Sequence, residues 1–330
     1  MVNFNKTILI TALIAFSILI VLLNTGEPVL TSKTIIQEKP VIKEYGPEIK
    51  VYFCQMENCS LKLIEYIKNA TTIHCAFFDL DNKPIINALL NKKDVKIVLD
   101  DTSKTTYPYA RTDNQNQLSH NKFCVFDSSI IWTGSQNPTD RCTYLNDNNA
   151  IVIESKTLAK NYEAEFVELW NGIYGRGYEI SNPIIYFNDK KIENYFCPED
   201  DCKKQVLKTL NSASESIYIL AFSLTLDEIG DLLIKKNLAG LDIKGVFERT
   251  QVNKYHEFYK LNDSNISVKW DSNKYNMHHK VFIIDKKIVL TGSANPTQGG
   301  YEKNDENILI IHDETIANYY LREFNRIWNR

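Results

Sequence analysis

The chain has 330 residues, 44% hydrophobic and 24% charged, with a formal net charge of −3. That composition excludes a disordered or low-complexity chain, and the length suffices for two domains that each bury a core. The acidic balance excludes broad, charge-driven coating of nucleic acid but leaves room for a local basic channel.

Residues 8–23, ILITALIAFSILIVLL, are apolar apart from Thr11 and Ser17, with Lys6 before them and no acidic residue until Glu27. The run is short for a full span, but Thr7, Asn24 and Thr25 extend it at headgroup level, so it predicts an uncleaved membrane anchor within residues 1–25. A cleaved signal peptide, giving a secreted protein, and a buried helix are the alternatives. Lys6 ahead of the span puts the N-terminus inside and the body on the extracytoplasmic side. Residues 26–48 mix proline, glycine and charge without a period and read as a tether.

From Ile49 onward strands and helices alternate. IKVYFC reads as a strand, SLKLIEYIKNA as a helix with one apolar face, and TIHCAFFDL and DVKIVLD as further strands. The same order returns as IIYFNDKKIENYFC, CKKQVLKTLNSA, SIYILAFSLT, LDEIGDLLIKKNLAG and LDIKGVFE. The chain is therefore read as two copies of one α/β unit, residues 49–178 and 179–330, each a layered sandwich, able to pack about a pseudo-twofold axis.

Seven cysteines bear on compartment. Cys54/Cys59 and Cys197/Cys202 are Cys-x4-Cys pairs, each at a strand end. Bonded, each pair stabilises by roughly 2–3 kcal/mol and fits an oxidising compartment. A zinc site from the four thiolates is the alternative, at an unusual spacing. Cys75 and Cys124 lie in apolar runs and read as small core residues. Cys142 remains, and one cysteine is left over under every full pairing.

The repeat is strictest around two polar motifs. His120, Lys122, Asp127, Gly134, Ser135 and Asn137 recur 158 positions later as His278, Lys280, Asp285, Gly292, Ser293 and Asn295. The register holds downstream, where Tyr162, Glu165, Phe166 and Trp170 match Tyr320, Glu323, Phe324 and Trp328. A histidine beside a lysine suits attack at phosphorus. Neutral imidazole is the nucleophile, and lysine and asparagine donors hold the non-bridging oxygens as charge builds. A second histidine across a shared cleft can protonate the leaving oxygen and then activate water. This scheme requires no cofactor and no metal, and no carboxylate cluster in metal-ligand order accompanies the histidines. One monomer contains one complete site; further assembly is left open.

His-x-Lys-x4-Asp followed by Gly-Ser-x-Asn, present twice, resembles the phospholipase D superfamily over about Ile49 to Arg330. The resemblance implies two lobes whose motifs meet at their interface and a covalent phosphohistidine formed without metal. It implies that His120, Lys122, Asn137, His278, Lys280 and Asn295 bind and cleave a phosphodiester, with His120 attacking and His278 donating the proton. Ser135 and Ser293 would assist near the phosphate, and Asp127 and Asp285 would brace the motifs. The family also commonly has a carboxylate that fixes a catalytic imidazole. Glu306, 28 residues after His278, fits that position, whereas Asn148 stands 28 after His120, so the two histidines are expected to be electrically unequal. His279, on the opposite strand face, reads as a packing or supporting residue.

Single-stranded nucleic acid is the first expected substrate, because the lobes are near the minimum for this superfamily and resemble its compact nuclease-like members. Lys104, Arg111, Arg249 and Lys274 would track the strand, while Tyr107, Tyr109 and Tyr275 would stack bases. A membrane phospholipid is the second expectation and an inactive phosphate-binding scaffold the third.

Overall fold

The computed structural model describes residues 41–103, 107–108, 110–113 and 117–330. Two mixed sheets organise them. The first, in spatial order, runs Lys50–Phe53, Asn149–Ile153, Ile130–Gly134, Lys122–Phe126, Thr72–Phe77, Asp94–Leu99 and Ala110–Thr112. The second runs Ile42–Glu44, Ile184–Phe187, Lys190–Cys197, Glu306–His312, Ile288–Gly292, Lys280–Ile284, Ser216–Ala221, Asp242–Phe247 and Ser267–Trp270. The two motif strands hold equivalent places: Lys122 pairs with Phe77 and Lys280 with Ala221, each across an antiparallel ladder.

Period-two alternation divides each motif strand between two cores. Phe123 and Val125, with Val281 and Ile283, face a central core that also takes Tyr162, Phe166, Tyr320 and Phe324 from the helices Lys156–Trp170 and Glu314–Trp328. Cys124 and Phe126 face an outer core in the first lobe, and Phe282 and Ile284 face one in the second. The two long helices start on matched caps: Ser155 accepts from Leu158 N and Asp313 from Ile316 N. The pseudo-twofold repeat of α/β lobes read from the sequence is thus the architecture of the molecule.

Three features differ from the sequence reading. Residues 42–44, inside the expected tether, form a strand parallel to Ile184–Phe187 and extend the second sheet. Cys75 and Cys124 are not separate core thiols. They face each other on adjacent antiparallel strands, 4.1 Å apart at Cα, and are bonded, as are Cys54–Cys59 and Cys197–Cys202. Cys142 is free and buried.

The membrane-anchored, extracytoplasmic placement is the third correction. Residues 8–23 lie outside the described residues, and among the described residues no helix is long and apolar enough to cross a membrane. The longest helices of the body have 15 residues and place charged side chains along one face, so they pack as amphipathic core helices. The membrane and transmembrane attributes drawn from residues 8–23 are therefore not retained.

Candidate active site

Each motif is a local device before it is a site. At the end of each motif strand the chain turns through a left-handed residue, Asp127 or Asp285. These carboxylates accept from the backbone N–H groups of Thr71 and Thr72 and of Ser214, Glu215 and Ser216, tying the turn to the neighbouring strand at the end away from the histidine. Gly134 and Gly292 have φ of 141°, and a Cβ there would strike the backbone oxygen of Asn149 or Asn307 on the adjacent strand. Ser135 and Ser293 accept from Asn149 N and Asn307 N, so their hydroxyls are engaged with that strand. Thr139 and Thr297 then cap the short helices Asp140–Tyr144 and Gln298–Glu302.

The two motifs are joined by reciprocal contacts across the lobes. His120 N donates to Asp305 O at 2.9 Å, and His278 N donates to Asp147 O at 2.9 Å. His120 Nδ1 donates to Glu306 Oε1 at 2.7 Å. His278 Nδ1 donates to Asn148 Oδ1 at 2.9 Å and approaches Ser135 O at 3.2 Å. Each imidazole is thus oriented by the opposite lobe, and Nε2 is left to face a substrate. Lys122 Nζ donates to His120 O at 2.6 Å and Lys280 Nζ to His278 O at 2.8 Å, which fixes both ammonium groups beside the imidazoles.

All four groups are almost completely buried, with exposures of 6% for His120, 1% for Lys122, 7% for His278 and 2% for Lys280. Burial lowers the His120 pKa, with Glu306 opposing and Lys122 assisting the shift. His278 is held well below its usual value by burial, then by Lys280, Lys122 and His120. Burial brings Lys122 down to about 8, and burial with the Lys122 charge drives Lys280 well below the lysine range. These mutual effects place both histidines and both lysines in one electrostatic neighbourhood. An anion that enters it relieves the repulsion between the lysines and raises the proton affinity of every group around it.

Asn137 and Asn295 are placed alike. Each peptide oxygen accepts from the N–H two residues on at 2.7 Å, and each Oδ1 is buried without a hydrogen-bond partner among the described residues. Phe78 and Phe222 escaped the sequence reading. Each stands edge-on to a histidine, with ring centroids 4.9 Å from His120 and 4.5 Å from His278, and under a lysine, 5.3 Å from Lys122 and 4.7 Å from Lys280. Their signal is structural: each follows the strand residue paired with its lysine, at sequence distances that differ between the halves. Behind the motifs, Asn307 bonds Asn121 and Thr133, and Asn149 bonds His279 and Thr291. This matches the supporting role read for His279.

The expected nucleic-acid track is not assembled in the same way. Tyr107 is 6% exposed, leaving no free face for a base. Arg111 lies 4.1 Å over the Trp170 ring and donates to Trp170 O. Arg249 and Lys274 are exposed and Tyr275 is half-buried, while Lys104 and Tyr109 lie outside the described residues. Two carboxylate triplets have metal-ligand proximity, Asp100/Asp101/Asp113 and Glu165/Glu168/Glu199, and neither contains a histidine of the motifs.

Two histidine–lysine pairs, oriented across a pseudo-twofold interface beside a carboxylate, define a two-lobed phosphodiester hydrolase. The family described as cardiolipin synthase, PLD-like domain, matches residues 63–170 and 206–328. The chain belongs to this phospholipase D-like family. A phospholipase D of Rickettsia typhi (strain ATCC VR-144 / Wilmington) is 33% identical over 136 residues, 41% of this chain and 67% of its own length. A mitochondrial cardiolipin hydrolase of Canis lupus familiaris is 30% identical over 125 residues, 38% of this chain and 49% of its own length. The crystal structure of phosphatidylserine synthase from Haemophilus influenzae Rd KW20 superposes with a TM-score of 0.62 at 12% identity, covering 84% of this chain and 86% of that one, a likeness of fold.

Proposed function

We propose that this protein hydrolyses the head-group phosphodiester of a phospholipid through a phosphohistidine on His120. One observation carries the catalytic part: the Glu306 carboxylate of one lobe sits on Nδ1 of His120 in the other, whereas His278 has an amide. When His120 Nε2 bonds to phosphorus, positive charge develops on the ring, and the carboxylate stabilises it. His278, oriented by a neutral partner, gives its proton to the departing alcohol oxygen once a bound phosphate has raised its proton affinity. Water then attacks phosphorus, His278 takes its proton, and the bond to His120 breaks. Lys122, Lys280, Asn137 and Asn295 hold the non-bridging oxygens throughout.

The lipid reading replaces the first sequence expectation of single-stranded nucleic acid. It is supported by the names of the relatives, phospholipase D and cardiolipin hydrolase, and by the commitments of Tyr107 and Arg111 elsewhere in the fold. The test offers the purified full chain phosphatidylcholine vesicles containing cardiolipin, single-stranded DNA and RNA in parallel. Release of phosphatidic acid or phosphatidylglycerol with intact nucleic acids is the expected result. Cleavage of nucleic acid alone overturns the lipid assignment.

A further inference from the structure

Two consecutive residues of the first lobe hold His278, one by its peptide and one by its side chain. Asp147 N–H donates to Asn276 O and Asp147 O accepts from His278 N, both at 2.9 Å, which makes a parallel bridge between Asp147 and Met277. Asn148 then sets its Oδ1 2.9 Å from His278 Nδ1. Asp305 and Glu306, 158 positions later, do the same for His120. The difference lies in the acceptor. A carboxylate grips a ring N–H roughly twice as strongly as a neutral amide, so His278 depends more on how firmly the segment that carries Asn148 is held.

That segment is held by charge. The Asp147 carboxylate is buried and accepts from Arg326 Nη2 at 2.5 Å, Arg330 Nη2 at 2.6 Å and Asn273 Nδ2 at 2.9 Å. All three donors belong to the second lobe. Arg326 Nε also donates to Glu323 at 2.7 Å, and Arg330 Nη2 to Asp271 at 2.7 Å, so each guanidinium bridges Asp147 to a carboxylate of its own lobe. Lys269 Nζ in turn donates to Trp328 O at 3.0 Å and Arg330 O at 3.1 Å, fixing the chain from which these groups reach. Burial pushes the Asp147 carboxyl up, but the hydrogen bonds from Arg330 and Arg326 outweigh it and hold the group below its ordinary value, so it stays ionised. The twin arrangement lacks this clamp. Asp305 accepts from Gly175 N at 2.7 Å and has no ion pair among the described residues, and the positions of Arg326 and Arg330 hold Glu168 and Gly172.

We propose that Arg326 and Arg330 are positioning residues for His278: by clamping Asp147 they fix the peptide and the amide that aim this imidazole at the substrate. The two histidines are thus steadied by different means, His120 by a charge on its ring and His278 by a charge on the segment behind it. The inference rests on the assignment of His278 as proton donor and is independent of which phosphodiester is cleaved. It divides the reaction. Attack by His120 on phosphorus with departure of a phenolate requires no proton and bypasses the clamp. Two transfers depend on it. In one, His278 Nε2–H protonates an alcohol oxygen as its bond to phosphorus breaks. In the other, His278 Nε2 takes a proton from water as the water oxygen bonds phosphorus and the bond to His120 breaks.

The test uses the full chain with bis(4-nitrophenyl) phosphate, comparing the parent, Arg330→Gln and His278→Asn. R330Q should release its first equivalent of nitrophenolate at a rate within about twofold of the parent, whereas steady turnover falls roughly 10-fold with little change in KM. Arg330→Lys, which keeps the charge without the forked geometry, should show the same split to a smaller degree and serves should R330Q fail to fold. A burst and a turnover that decline together in R330Q, or a turnover equal to that of the parent, overturns the positioning role and leaves the clamp a purely structural ion pair. H278N separates this from failure of the underlying assignment. A full burst followed by a stall confirms that His278 does the work in question, and its absence overturns the assignment on which the inference rests.

Discussion

Glu306, carried by the second lobe, accepts from His120 Nδ1 in the first lobe at 2.7 Å, while His278 receives the uncharged Asn148 at 2.9 Å. A carboxylate fixes the tautomer and stabilises the charged ring; an amide does only the first. Glu306→Gln keeps the acceptor and removes the charge. The expected outcome is a loss of roughly 10–100-fold in kcat, with KM and the far-UV spectrum near those of the parent. An unchanged kcat would show that the carboxylate merely packs there.

Roles for the two histidines separate with a phosphodiester bearing a nitrophenol leaving group, which departs without an acid. His278→Asn should then release one equivalent of nitrophenolate per chain and stall, because the base that activates water is missing. Turnover on a lipid substrate should fall roughly 10²–10⁴-fold. His120→Asn should give no burst at all. A burst from H120N with none from H278N would exchange the two assignments.

The sequence displays what repetition preserves and hides what folding brings together. The motif residues were legible because polar side chains in an apolar strand stand out, and twice over at a constant offset. Glu306 was legible by its position after His278, but its service to His120 was not, since the lobe exchange is a property of the interface. Phe78 and Phe222 were hidden because the loops between them and their histidines differ in length. Cys75 and Cys124 looked like ordinary core residues, for their pairing depends on antiparallel register between strands 49 residues apart.

Lys122 sets the expected alkaline limb of the pH profile. Burial lowers its pKa to about 8 in the free protein, so the ammonium form persists below that pH and is lost as pH rises through it. Because kcat/KM reports ionisations of the free enzyme, it should decline above pH 8, towards tenfold per unit. Burial also lowers the His120 pKa from 6.5, so the nucleophile stays neutral at pH 7 and protonation of His120 should cost activity only on the acid side of 6.5. The profile of kcat/KM on vesicles between pH 5 and 10 tests both limbs. A flat response to pH 10 would mean that Lys122 does not contact the phosphate as a cation.

The Cys75–Cys124 bridge joins two central strands of the first sheet, and both residues are fully buried in its outer core. With its ends 49 positions apart in sequence, chain entropy assigns it about 4 kcal/mol, more than either short Cys-x4-Cys loop contributes, since loop closure in the unfolded chain costs more as the loop grows. Cys75→Ala with Cys124→Val removes the bridge and keeps an apolar filling. Urea unfolding followed by tryptophan fluorescence should show that loss, with the midpoint lowered. Activity should persist at temperatures where the variant remains folded, because Cys124 points into the outer core and the pocket is built by His120 and Lys122 at the start of that strand. A variant as stable as the parent would mean that the two thiols carry no covalent bond in the folded protein.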